Sequence, residues 1–113
     1  MDTMLKESVA VLFCYVIKLD DKDLDVERPL FCRFMQQDFN TPKEESSELL
    51  NKVMENEYNI DTHISMIANG LINETYTKVS VLKQLNHLII RSKLKDDDYE
   101  LFDKVKEAFF PTK

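Results

Sequence analysis

The chain has 113 residues, 43% of them hydrophobic, with only one glycine and three prolines. A chain of this length buries roughly two-thirds of its unfolded surface around one core, so residues 1–113 are expected to form a single domain. So few turn-forming residues argue against a sandwich or barrel of many strands and favour an all-α fold. The net charge of −6 argues against nucleic acid and anionic membrane surfaces as partners and favours a basic protein or a cation.

Hydrophobic spacing predicts the first two helices. Apolar residues recur three and four positions apart over residues 4–19, which predicts a helix with one buried stripe. A polar corner follows. Asp25 then fits the cap of a second helix that runs to Phe39, and Pro29 falls in its first turn, where a missing N–H costs least.

The clearest local signal starts the third helix, which is predicted over residues 42–55. Thr41 fits the N-cap, Pro42 fits the first helical position, and Glu44 completes a capping box. Few residues of this helix are apolar. It is therefore expected to cover the core from one side and to leave a broad acidic face in water.

Three more helices are predicted over residues 61–70, 74–91 and 97–110, giving a compact bundle of about six. The fourth ends near the lone glycine, Gly70. The fifth is the longest and most apolar, so it is expected to be central, with His87 half-buried beside its apolar face. Pro111 ends the sixth.

An internal repeat relates the two ends of the chain. Sliding residues 9–39 onto 79–109 leaves five identities, including Val9 with Val79 and Leu24 with Leu94. The common pattern is helix, polar corner with one leucine, helix. It predicts two pseudo-equivalent helix-corner-helix units, 4–39 and 74–110, bridged by residues 42–71. Leu24 and Leu94 are expected to be buried and related by an approximate two-fold axis.

The two corners carry a family resemblance. The first reads Lys18-Leu19-Asp20-Asp21-Lys22-Asp23-Leu24-Asp25-Val26-Glu27, and the second reads Arg91-Ser92-Lys93-Leu94-Lys95-Asp96-Asp97-Asp98. An Asp-Gly-x-hydrophobic corner followed by an acidic helix start, once in each half of a small helical domain, resembles the TerB-like domains. Lys22 and Ser92 stand in the two Gly places of that pattern, and Arg91 stands in the second Asp place. The resemblance implies a protein-interaction module in a bacterial stress-response or envelope-associated assembly.

The first corner also suggests a divalent-cation site. Asp21, Asp23 and Asp25 have the first spacings of a calcium loop, but Val26 stands where the loop needs glycine and Cys32 where it needs a bidentate glutamate. An EF-hand is thereby excluded. A weaker site formed by Asp21, Asp25 and Glu27 is left as an alternative to a solvated corner whose acidic residues favour a helix start.

No catalytic motif is recognisable, so the sequence predicts a non-enzymatic protein without a cofactor. Cys14 and Cys32 are expected to be free buried thiols, and His63 and His87 belong to no ligand pattern. Function is therefore assigned to a surface. The carboxylates of Glu44, Glu45 and Glu48 on the third helix are the candidate contacts for a basic partner. An acidic decoy of a nucleic-acid-binding surface is a further alternative.

The apolar run over residues 9–17 is too short to span a bilayer. The residues before it include both acidic and basic side chains, and no small-residue cleavage site follows it. The sequence therefore predicts a cytoplasmic protein that does not insert into a membrane.

Overall fold

The structure is a computed structural model that describes residues 3–90 and 96–111, and the side chains of these except 96–98. Its helices are Thr3–Leu19 (α1), Leu24–Phe39 (α2), Lys43–Met54 (α3), Ile60–Gly70 (α4), Thr75–Ile90 (α5) and Asp96–Phe109 (α6). The described ranges contain no strand, so the predicted all-α bundle of six helices is confirmed. The radius of gyration is 12.9 Å, close to the value of about 13 Å typical of a compact domain of this size.

The centre of the bundle is α1. It packs against α2, α3, α4 and α5, and it buries seven consecutive residues, Ser8 to Cys14. Burial on every side of a helix marks it as surrounded by other elements. The prediction that the fifth helix is central is therefore wrong, because α5 exposes Tyr76, Val79 and Ile90 on its outer side.

The first corner ends α1 through its backbone. Asp21 has φ 51°, in the left-handed region, and its N–H donates to the Lys18 carbonyl at 3.3 Å. The Lys22 N–H donates to the Ile17 carbonyl at 2.9 Å. These two bonds form a Schellman motif, which usually has glycine in the left-handed place, although asparagine and aspartate tolerate that conformation. Asp21 therefore has a structural role.

The start of α2 corrects two expectations. The N-cap is Asp23, whose side chain accepts from the Asp25 N–H at 3.0 Å, so Asp25 lies inside the first turn and does not cap. Since the helix begins at Leu24, Pro29 is its sixth residue and not part of the first turn. Leu24 itself is half-buried and packs against the core. Its predicted counterpart, Leu94, lies outside the described residues.

The junction of α2 and α3 corrects a third expectation. Thr41 is fully buried, and its hydroxyl donates to the Phe39 carbonyl at 2.9 Å. The N-cap of α3 is Pro42, with no capping side chain, so the predicted capping box of Thr41 and Glu44 does not form. Thr41 instead satisfies a carbonyl at the end of α2, where the last carbonyls of a helix lack intrahelical partners.

The internal repeat holds in burial for α2 with α6 and only in part for α1 with α5, where Val11 and Val81 are both buried. Equivalent residues of α2 and α6 are buried alike, namely Phe31 with Leu101, Met35 with Val105 and Phe39 with Phe109. In α1 and α5, Val9 is fully buried, whereas its identical counterpart Val79 is 52% exposed. The approximate two-fold axis between the two units stays a prediction.

A buried lysine ties the last two helices together. The Lys78 ammonium on α5 donates to the Phe109 carbonyl at 3.1 Å and lies 3.5 Å from the Ile72 carbonyl oxygen. It also stands 5.3 Å from the centre of the Phe110 ring. The positive charge is favourable there because the C-terminal end of a helix, here α6, carries a partial negative charge.

Candidate functional site

The structure separates the three carboxylates proposed for a cation. Glu27 is buried, with its carboxylate 3.9 Å from the Lys22 ammonium. Asp25 is 86% exposed and pairs with the Arg28 guanidinium at 3.3 Å, and the exposed Asp21 ends α1. Within the described residues, no three His, Cys, Asp or Glu side chains gather into a group that could hold a metal. The geometry of the corner therefore gives the cation hypothesis no support.

Within the corner, Lys22 pairs with the buried carboxylate of Glu27. The Lys22 and Glu27 side chains are only 5% and 7% exposed. Isolated buried charges are strongly unfavourable, so a lysine this close to a buried glutamate compensates its charge from within the chain. The charge of the buried Glu27 is thus compensated by a neighbouring side chain of the same corner.

The carboxylates of Glu44, Glu45 and Glu48 are all exposed on the first half of α3. Glu45 lies toward α1 and pairs with the Lys6 ammonium at 3.3 Å. At 100° per residue, Glu44 and Glu48 fall on one outward stripe of the helix. We call Glu44, Glu45 and Glu48 the α3 ridge. The predicted acidic face of the third helix is confirmed.

Arg28 connects the first corner to the α3 ridge. Its guanidinium donates to the Ser47 hydroxyl at 2.8 Å and to the Asp25 carboxylate at 3.3 Å. Arg28 thus bonds both to the first corner, at Asp25, and to the first half of α3, at Ser47. From the sequence, the corner and the third helix were predicted as two separate surfaces. No sequence motif near Arg28 predicts its hydrogen bond to Ser47 of α3.

The two cysteines and the two histidines lie on four different helices. Both thiols are free and buried, as predicted. Burial raises the pKa of Cys14 to about 12, against the opposing charge of Lys18, and burial also raises the pKa of Cys32. His63 meets the buried Ser8 hydroxyl at 2.9 Å from its Nδ1. His87 is exposed, so its expected half-burial is wrong: the helix that bears it lies at the edge of the bundle.

Two cavities that the sequence did not predict lie on either side of Tyr15. One, of about 360 Å³, is open to solvent and is lined by α1, the end of α3 and the loop after it. The other, of about 310 Å³, is also open and is lined by α1, the start of α4 and α6. We call the pair the Tyr15 groove. Its residues come from distant parts of the chain, and the one local signal for it is that Tyr15 lies beside the buried stripe predicted for the first helix.

None of the helices in the described part of the chain is long and apolar enough to cross a membrane. Comparison of the chain with protein-family models, curated proteins and solved structures found no match.

Proposed function

We propose that this chain is a non-enzymatic, cytoplasmic protein-interaction module of the TerB-like type, which binds a basic protein partner in a bacterial stress-response or envelope-associated assembly. The observation that carries the proposal is the set of exposed carboxylates at the first corner and on the α3 ridge, two segments that Arg28 links through Asp25 and Ser47. Six residues contribute, namely Asp21, Asp23, Asp25, Glu44, Glu45 and Glu48, and all six are exposed. We call these six residues the acidic face.

The charges of this face favour a basic partner. Within the described residues, ion pairs engage only two of the six carboxylates, Asp25 with Arg28 and Glu45 with Lys6. The outward carboxylates of Glu44 and Glu48 are therefore available to lysine or arginine side chains of a partner. Complementary surface charge mainly accelerates association and selects partners.

The structural roles of the corner decide which substitutions test the proposal. Asn replaces Asp well both in a left-handed position and at an N-cap. Asp21→Asn and Asp23→Asn therefore remove charge and keep the backbone. Asp25 and the three α3 ridge residues have exposed side chains, so each of them is reversed to Lys. Reversal at Glu44 and Glu45 also removes acidic charge from the first turn of α3, which costs about 0.3–1 kcal/mol per residue.

The test is capture of partners from a bacterial lysate by the immobilised chain at low and high salt. Wild-type protein should capture a basic protein at low salt and lose it at high salt, because screening shortens the reach of surface charge. Glu44→Lys with Glu48→Lys should abolish most of the capture. The matched control is Glu55→Lys with Asp103→Lys, two exposed sites elsewhere, which changes the net charge equally and should leave capture intact.

Undiminished capture after all six changes on the acidic face would overturn the proposal. Loss of capture in the control as well would show that net charge, and not this face, attracts the partner. Identification of the captured protein as a nucleic-acid-binding protein held by its basic groove would assign the chain as an acidic decoy.

A further inference from the structure

We draw no further inference here: the strongest candidate, the exposed apolar side chains of Tyr76 and Val79 on the outer side of α5, lines a cleft that also holds Asp38 and Lys83, so its charges are of both signs, and nothing in the structure shows what covers it.

Discussion

Helices α1 and α5 are related by the internal repeat, yet they have opposite places in the molecule. Val9 and Val79 are the same residue at equivalent positions, and one is fully buried while the other is 52% exposed. Tyr15 is partly exposed, whereas its counterpart Leu85 is fully buried. Burial therefore surrounds the middle of α1 and is confined to one side of α5.

This difference teaches that an apolar helix is not necessarily a central one. Four helices surround α1, whereas α5 packs against α1, α2 and α6 and leaves one side open. Hydrophobic spacing reports which side of a helix prefers to be buried, but the number of neighbours depends on the whole arrangement.

The largest expected effect comes from the same substitution at both equivalent positions. Val9→Ala removes two methyl groups from a fully buried site and should lower the free energy of unfolding by about 2–3 kcal/mol. Val79→Ala, on the exposed side of α5, should change it by less than about 0.5 kcal/mol. Urea unfolding of both variants measures the difference. Equal losses at the two sites would mean that α5 is as enclosed as α1.

A smaller effect is expected from the buried lysine of α5. Lys78→Met keeps the apolar stem but leaves the Phe109 and Ile72 carbonyls without this donor, at a cost of about 1–2 kcal/mol. Hydrogen exchange should accelerate in the last turn of α6, which the ammonium contacts. Lys83→Met, at an exposed site on the same helix, is the control and should leave both stability and exchange nearly unchanged. An identical exchange pattern in the two variants would refute the anchoring role of Lys78.

The third effect is absent at neutral pH, appears only at high pH, and belongs to Cys14 of α1. Burial raises the pKa of Cys14 to about 12, from an ordinary value of 9.0. Between these values the unfolded thiol has lost its proton and the folded thiol has kept it. The free energy of unfolding should therefore fall as pH rises from about 9 to 12.

The measurement is the stability of wild-type protein and of Cys14→Ala across that pH range. The alanine variant lacks the contribution of this thiol, so its stability should decline less steeply. It retains the decline due to Cys32, whose pKa burial also raises. Parallel curves for the two proteins would contradict the assigned role of Cys14.

The extent of each helix follows largely from local sequence, and the caps follow less well. The observed bounds lie within two residues of those predicted, because hydrophobic spacing is a property of neighbouring residues. Asp23 replaces Asp25 as a cap, and Thr41 bonds backwards to Phe39. Near each of these helix ends the sequence offers more than one polar side chain that can bond to the backbone. The backbone conformation of the folded chain decides which of them forms the bond.

Part of the candidate site was also predictable from the sequence, and part was not. The exposure of Glu44, Glu45 and Glu48 was predictable, because α3 has few apolar residues in its sequence. The hydrogen bonds from Arg28 to Asp25 and Ser47 were not predictable as a set, because only the packing of α2 on α3 brings Arg28 and Ser47 together.

By itself, the sequence determined an all-α fold, six helices and the acidic surface of α3, since each depends on composition or on spacing within a few residues. The tertiary structure decided that α1 is central, that Lys22 compensates the buried Glu27, and that a groove opens on both sides of Tyr15. The physical reason is that burial, ion pairing and cavities depend on the distances between residues far apart in the chain. Those distances are set only when the helices pack.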